Sequence, residues 1–159
     1  MLKEIYIENL AIIEKAVISF TEGLNIFSGE TGAGKSILIG GINAVLGGRT
    51  SKEIVRAGTA KANITALFDY IPDVVKQKLE EYGYTADNDE LLLQREISAD
   101  GKSTARICGK TATVAVLKDV AAGLIDIHGQ HDNQILMSND KQREILDSYG
   151  QLEGALEQY

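Results

Sequence analysis

A glycine-rich stretch followed by lysine and serine is the part of this sequence best suited to chemistry. Gly29 and Gly34 are separated by four residues, and Lys35 and Ser36 follow directly. Glycines let the backbone approach a polyphosphate closely and point successive N–H groups at it. The lysine ammonium can contact the β- and γ-phosphates, and the serine hydroxyl can bind Mg²⁺. This spacing is that of a P-loop and predicts a nucleotide-phosphate site.

The elements on either side of the glycines agree with that prediction. Residues 24–27 (LNIF) form a short apolar run that predicts a strand, and a helix-length apolar segment follows Lys35. A helix that begins here adds unpaired N–H groups and partial positive charge to the site. The alternative is a glycine-rich turn that caps an ordinary buried helix. The order strand, turn, helix favours the phosphate site.

The predicted helix is apolar on nearly every side, which is typical of a buried helix. Gly40 and Gly41 each cost a helix about 1 kcal/mol relative to alanine, so we expect them to allow close packing on a sheet. Gly47-Gly48 is expected to end the helix.

Alternating apolar residues predict strands before and after this helix. Two strands, at 1–9 and 16–20, precede the run 24–27 and predict an antiparallel edge that leads into a mixed sheet. The fold class is therefore α/β, with the sheet around the P-loop helix. The other predicted elements are a strand at 63–70, a helix at 73–82 opened by Pro72, strands 91–97 and 103–107 joined at Asp100-Gly101, a turn at Gly109-Lys110, a helix at 113–122 and a short buried strand at 124–127.

A second polar cluster, HGQHDNQ, follows the run 124–127. Ligands bind at the carboxyl ends of strands in α/β sheets. His128 and His131 have no third ligand to support zinc, and no nucleophile motif accompanies them for acid–base chemistry. Gln130 fits best as a residue that reaches Mg²⁺ and the attacking water. The alternative is a hydrogen-bonded polar turn.

Composition limits the class of protein. The chain has 159 residues, of which 44% are hydrophobic and 25% charged, as expected for one soluble domain. A single cysteine, Cys108, excludes an internal disulfide and suits a reducing compartment. The sequence begins with no secretory signal and contains no apolar run long enough to cross a membrane. We therefore expect a cytoplasmic protein.

Charge bears on nucleic-acid binding in two opposite ways. The net charge of −7 has the wrong sign for a module whose whole surface binds nucleic acid. Residues 49–61 are the most basic stretch of the chain, and only Glu53 opposes their positive charges. The stretch is either a solvated loop or a loop that faces nucleotide or DNA. Its basic residues are Arg49, Lys52, Arg56 and Lys61.

The last residues change pattern. From Ser138 onward apolar residues recur at spacings of 4, 3, 4 and 3, which predicts the seam of a coiled coil. These residues are Ile145, Tyr149, Leu152, Leu156 and Tyr159. The alternative is a two-turn surface helix. We expect a domain at 1–137, a helix at 138–159 that begins a coiled-coil arm, and a chain cut within that arm.

Four segments together resemble the N-terminal part of RecN, a family of bacterial DNA-repair ATPases of the SMC class. They are residues 2–49, 54–68, 94–109 and 124–137, with IENLAIIE, GETGAGKS and DIHGQH in that order. The resemblance implies the N-terminal lobe of an ABC-type ATPase head that uses ATP and Mg²⁺. In such a head a long coiled coil intervenes before the second lobe returns at the C-terminus.

The resemblance also implies roles for single residues. Gln130 matches the Q-loop glutamine near Mg²⁺ and the γ-phosphate, and Ser36 is the other expected Mg²⁺ ligand. Arg56 resembles the R-loop arginine, which lies near the nucleotide and the DNA-facing surface. Lys35 and Gln130 are the expected catalytic residues. The Walker A loop corresponds to Gly29, Glu30, Thr31, Gly32, Ala33, Gly34, Lys35 and Ser36.

Parts of an ATPase head are absent from this sequence. It contains no LSGGE-like signature, no Walker B run and no switch histidine. In the family these belong to the C-terminal lobe, and two heads enclose ATP. We therefore expect the chain alone to bind nucleotide weakly or not at all and to hydrolyse none. The expected partners are the C-terminal lobe, a second head in a homodimer, and DNA, with no membrane, in the cytoplasm near the nucleoid.

Two other functions remain open at this point. One is a small P-loop kinase that transfers phosphate to a metabolite, which the two strands before the glycine-rich stretch and the late Gln130 disfavour. The other is a nucleotide-sensing or structural module whose role is dimerisation.

Overall fold

The computed structural model describes residues 1–28, 33–86, 89–125 and 127, and of Ala33 only the backbone. Apart from Ile127, these residues belong to a compact unit, Met1–Asp126. The predicted domain boundary between residues 137 and 138 lies outside them and stays a prediction. The described elements are β1 (Leu2–Leu10), β2 (Ile13–Ser19), α1 (Ala33–Val45), a 3₁₀ turn (Lys52–Ile54), β3 (Lys61–Phe68), α2 (Asp73–Glu81), β4 (Leu91–Ser98), β5 (Ser103–Ile107), β6 (Lys110–Ala112) and α3 (Val114–Ala121).

The six described strands form one sheet in the order β2-β1-β3-β4-β5-β6. Burial alternates strictly along β3 and β4, so one face of each strand is the core face. α1 packs against β1, β3 and β4, and α3 packs against β5. Burying one large apolar side chain stabilises the fold by about 1.5–3 kcal/mol. The largest fully buried side chains in this core include Ile5, Ile7, Ile64, Phe68, Leu91, Leu93, Ile97 and Leu117.

The predicted α/β class is confirmed, but the described part of the sheet is not mixed. Every pairing among the described strands is antiparallel. Residues 24–27, predicted as the strand before the glycines, belong to no strand. Leu124, Ile125 and Ile127 also lie outside any strand, so the predicted strand at 124–127 is wrong for these residues. A strand needs a neighbouring strand to form hydrogen bonds with its backbone N–H and C=O groups. None of the described strands pairs with residues 24–27 or with the described residues of 124–127.

One of the two glycines inside α1 allows close packing on the sheet. A Cβ placed on Gly41 would lie 3.2 Å from both Ile7 Cδ1 and Leu10 Cδ2, so the helix approaches β1 closely. A Cβ on Gly40 would meet no described atom within 4 Å. Both glycines were expected to allow close packing of the helix on the sheet. Within the described structure this expectation is confirmed for Gly41 and wrong for Gly40.

Gly47 follows the end of α1, as predicted, with φ at +87°. A Cβ on it would lie 2.7 Å from Lys118 Cβ and 2.8 Å from Lys118 Cα, so α3 leaves no room for a side chain. We expect Gly47→Ala to lower the free energy of unfolding by about 2–4 kcal/mol, because a left-handed penalty and overpacking add. Gly40→Ala, in the same helix, should raise it by up to about 1 kcal/mol. Urea denaturation of both variants measures this, and equal losses of stability would contradict it.

Two hairpin turns use different left-handed residues. At the predicted turn of Asp100-Gly101, Ser98 N donates to the Lys102 carbonyl at 2.8 Å, so three residues lie between this pair. Gly101 takes the left-handed position at φ +89°. The second turn is centred on Cys108-Gly109, one residue earlier than predicted, and joins the pair Ile107 and Lys110. Cys108 and Gly109 both have positive φ, at 47° and 76°, as a type I′ turn requires.

The second turn offers a stabilising substitution. Asparagine tolerates the left-handed conformation better than cysteine. We expect Cys108→Asn to raise the free energy of unfolding by about 0.5 kcal/mol. Cys108→Ser is the control, because it keeps the size of the side chain without the same preference. Thermal melts compare the two variants, and an asparagine variant less stable than the serine variant would contradict the account.

One charged side chain lies on the core face of β4. Arg95 is only 4% exposed, and its Nε donates a hydrogen bond to Ser103 Oγ at 2.5 Å. Its Nη1 has no hydrogen-bond partner among the described residues. Burial lowers the pKa of the Arg95 guanidinium. The alternating pattern of β4 puts Arg95 on the same face as Leu93 and Ile97, so its burial was open to prediction but was missed.

Candidate phosphate-binding site

Helix α1 begins at the residue pattern that predicted a phosphate site. Its first residue is Ala33, so Gly34, Lys35 and Ser36 lie in the first turn, and all three are exposed. The first backbone N–H groups of a helix have no partner within it. The start of α1 therefore presents free N–H donors, an ammonium group and a hydroxyl together.

The electrostatics of this turn favour an anion. The first turn of α1 contains no acidic residue. Lys35 has no hydrogen bond or ion pair with any other described residue, so its ammonium is available to a ligand. The helix dipole adds partial positive charge at the same end. A phosphate group at this end would be held by N–H groups and the lysine.

Only part of the predicted loop can be described. Gly29, Glu30, Thr31 and Gly32 lie outside the described residues, as do Gln130, the cluster from His128 onward and the heptad pattern. Their predicted roles stay predictions. The structure thus brings together Gly34, Lys35 and Ser36 at the start of α1. It also describes the backbone of Ala33, the first residue of that helix, and Arg56.

The segment that leads to the glycines is held at its start and exposed along its length. Asn25 Oδ1 accepts from Thr21 N at 3.0 Å, and Asn25 Nδ2 donates to Thr21 O at 2.7 Å. Phe27 packs edge-on against Phe20, with ring centroids 5.8 Å apart. Leu24 is nevertheless 84% exposed and Ile26 78% exposed. Large apolar side chains exposed together are typical of an interaction surface.

Sequence reasoning missed this exposed surface. It treated residues 24–27 as a strand because the run is apolar, and the same run is largely exposed here. Ile39, on α1, is also exposed. The exposure could have been anticipated from strand pairing. A strand at 24–27 would need a neighbouring strand, and the two strands that precede it already pair with each other.

Arg56 contacts the turn between β1 and β2. Its Nη1 donates a hydrogen bond to the Ile12 carbonyl at 2.6 Å, and its Nη2 lies 4.0 Å from Glu14 Oε2. Neither contact involves the first turn of α1. The structure therefore shows a different local role from the nucleotide contact that the resemblance implies, and that contact stays a prediction.

The basic stretch at 49–61 divides into paired and exposed cations. Lys61 forms an ion pair with Glu96, with Nζ and Oε2 2.7 Å apart. Arg49 and Lys52 are exposed and form no ion pair with other described residues. Of the four basic residues in this stretch, these two are therefore the ones most available to an external anion.

Neither a clustered metal site nor a membrane-spanning helix is found among the described residues. They contain no group of three or more histidine, cysteine, aspartate or glutamate residues that could hold a metal ion. Mg²⁺ prefers oxygen ligands and often binds through one or two protein groups plus phosphate oxygens, so the exposed Ser36 hydroxyl fits it. None of the helices in these ranges combines the length and apolarity that a membrane crossing needs.

Comparison with known sequences agrees with the motif. The AAA domain family matches residues 4–158. The chain is 43% identical over 162 residues to the DNA repair protein RecN of Bacillus subtilis (strain 168), covering all of this chain and 28% of that protein. The resemblance predicted from the sequence is thereby confirmed. The chain spans less than a third of the length of such curated relatives.

Solved structures show the same fold. The Smc head domain with an extended coiled coil from Pyrococcus furiosus, bound to the C-terminal domain of ScpA, aligns with 99% of this chain and 45% of its own. Its TM-score is 0.69 at 23% identity. A chain from a study of ATP-driven dimerisation and DNA-stimulated activation of SMC ATPases aligns over 92% of this chain and 97% of its own, with a TM-score of 0.67 at 22% identity. The predicted SMC-type head fold is confirmed.

Proposed function

This chain belongs to the AAA domain family, and from that premise we propose that it is the ATP-binding part of an SMC-like ATPase head that acts in DNA double-strand break repair and recombination. One observation carries the proposal. Helix α1 begins at the glycine, lysine and serine of the motif GETGAGKS, with an exposed first turn that contains no acidic residue. The sequence relatives named as DNA repair proteins support the process.

The proposed site assigns one task to each group. The backbone of residues 29–34 and the start of α1 surround the β- and γ-phosphates of ATP. Lys35 neutralises charge on these phosphates, and Ser36 holds Mg²⁺ together with Gln130. When bound, Mg²⁺ supplies charge neutralisation between the phosphates. Gln130 in addition orients the attacking water.

The site is proposed to be completed by other parts of the protein. The exposed Leu24, Ile26 and Ile39 give α1 and the segment before it an apolar surface that no described residue covers. The curated relatives are more than three times as long as this chain. We assign this surface to the C-terminal lobe, with residues 138–159 beginning the arm that leads to it. Hydrolysis then requires that lobe and a second head in a homodimer.

DNA is the proposed partner of the whole protein rather than of this chain's surface at large. The net charge of −7 opposes general binding of a polyanion. Arg49 and Lys52, exposed beyond the end of α1, are the local exception. ATP would join two heads and hydrolysis would release them, which moves attached arms around DNA. Such a protein works in the cytoplasm, on the nucleoid.

This chain can be co-expressed with a polypeptide that corresponds to the remaining part of a RecN-length protein. The experiment distinguishes the proposed function from a small P-loop kinase and from a sensing or dimerisation module. ATP hydrolysis that depends on the added polypeptide and is stimulated by DNA is expected. Phosphate transfer to a metabolite by this chain alone would instead indicate a small P-loop kinase. Nucleotide-dependent association without any turnover, even with the added polypeptide, would indicate a sensing or dimerisation module.

A further inference from the structure

The turn between β1 and β2 is joined to the segment that follows the 3₁₀ turn. Ala11 N donates to the Ile54 carbonyl at 2.7 Å, and Arg56 N donates to the Asn9 carbonyl at 2.9 Å. Leu10 and Val55 form a β-bridge between these two contacts. The β1–β2 turn, residues 9–12, therefore has its backbone partners more than forty residues away in the sequence.

This turn contains two residues in a left-handed conformation. Asn9 has φ at 54° and Ala11 has φ at 49°. Asparagine adopts this region readily, but a left-handed alanine costs about 1–2 kcal/mol because its Cβ crowds the following carbonyl. Such a conformation persists only where the surroundings hold it.

Arg56 is the side chain that holds the turn. Its Nη1 donates to the Ile12 carbonyl at 2.6 Å, one residue after the left-handed Ala11. A charged donor makes this hydrogen bond stronger than a neutral one. Thr59 fixes the other end of the residue, because its Oγ1 donates to the Arg56 carbonyl at 2.8 Å. The side chain of Arg56 is 35% exposed, so most of it is committed to the protein.

The same turn lies against the helix that begins at the phosphate site. Leu10 is fully buried, and its Cδ2 lies 3.2 Å from the position of a Cβ on Gly41. Gly41 follows Lys35 by six residues, which is about 9 Å along a helix axis. A shift of the turn would therefore displace the side of α1 that positions Lys35.

We propose that Arg56 is a positioning residue, which holds the β1–β2 turn against α1 through its hydrogen bond to Ile12. This role acts through the backbone, whereas the resemblance implies a direct contact of the arginine with nucleotide and DNA. A positioning role requires a donor that reaches the Ile12 carbonyl, and it involves no ionic contact between Arg56 and the nucleotide. The nucleotide part of the inference rests on the proposed function, while the structural part does not.

Amide hydrogen exchange of the 159-residue chain without nucleotide tests the structural part. Arg56→Met is expected to speed exchange of the Ala11 and Arg56 amides about 10- to 100-fold, the loss of one charged hydrogen bond. Arg56→Lys keeps a charged donor on a side chain one atom shorter and should speed exchange less than Arg56→Met does. Adding Ala11→Gly to Arg56→Met should recover about fivefold protection, because glycine adopts positive φ freely.

Lys52→Met controls for the loss of a positive charge on the same segment and should leave both amides unchanged. Unchanged exchange in Arg56→Met, or equal acceleration by Arg56→Lys, would overturn the inference. A double variant with Ala11→Gly that exchanges as fast as Arg56→Met would also overturn it, because the strained alanine would then be irrelevant.

The functional part of the inference is tested by measuring ATP affinity. The protein used is this chain combined with a polypeptide that corresponds to the remaining part of a RecN-length protein. Arg56→Met should weaken binding about tenfold with an unchanged salt dependence, because no ionic contact with ATP is lost. A weaker salt dependence in Arg56→Met would show direct ionic contact and overturn the positioning role. Lys35→Ala is included separately: if it leaves ATP affinity intact, the proposed function fails, and the exchange result still decides the role of Arg56.

Discussion

Replacing Ile26 with glutamate is expected to abolish association of this chain with the rest of a RecN-length protein while leaving the chain's own stability nearly unchanged. Ile26 is 78% exposed, so its substitution should change the free energy of unfolding by less than about 0.5 kcal/mol. If the C-terminal lobe covers it, an unpaired carboxylate becomes buried at the interface. Such a charge costs about 3–5 kcal/mol, which is at least a hundredfold in affinity.

Calorimetric titration of the two polypeptides measures this effect, and urea denaturation of the chain alone measures stability. Val74→Glu is the matched control, because Val74 is 64% exposed but lies on α2, away from residues 24–27. It should keep the affinity of the unaltered chain. If Ile26→Glu binds as tightly as Val74→Glu, the exposed segment is not the docking surface.

Lys35→Ala carries the other large expected effect, on ATP itself. Lys35 is exposed in the first turn of α1 and has no partner among the described residues. Its removal should leave folding intact and lower the ATP affinity of the completed protein about 10- to 100-fold, because a charged hydrogen bond to phosphate is lost. Turnover should fall further, since charge on the transferred phosphoryl group is then unopposed.

Binding of a fluorescent ATP analogue and release of phosphate measure the two losses. Lys52→Ala, which removes an exposed lysine outside the helix start, is the control and should retain ATP affinity. A completed protein that still binds and hydrolyses ATP after Lys35→Ala would mean that the glycine-rich motif is not its phosphate site.

Elements with a clear local pattern were predictable from the sequence. The apolar spacing of α3 predicted the helix and its inner face, and Leu117, Val120 and Ala121 are buried there. The alternation in β4 and β5 and the turn residues between them predicted their hairpin. In each case the apolar spacing or the turn residues that predict the element lie within the element itself.

The failures involve contacts that are distant in the sequence. The run 24–27 has the composition of a buried strand, yet burial depends on neighbours that the described chain does not supply. The left-handed Ala11 could not be predicted either, because its geometry is maintained by Ile54 and Arg56. Local composition indicates which secondary structure a segment can form. Contacts with residues distant in the sequence determine whether that structure forms.

The candidate site divides in the same way. Gly34, Lys35 and Ser36 were predictable because one short motif specifies both their chemistry and the helix start, and the structure has them there. Arg56 was predicted by resemblance to lie near the nucleotide, but its partner Ile12 is 44 residues away and no local pattern reveals it. Gln130 lies outside the described residues, so its place in the site stays a prediction.

The central claim is tested most directly by measuring ATP turnover twice. The first measurement uses this chain alone, and the second adds a polypeptide that corresponds to the remaining part of a RecN-length protein. We predict no turnover by the 159-residue chain and DNA-stimulated turnover by the combination, since the proposed function places the carboxylates that polarise water in the C-terminal lobe. Turnover by the purified chain alone, abolished by Lys35→Ala, would contradict it.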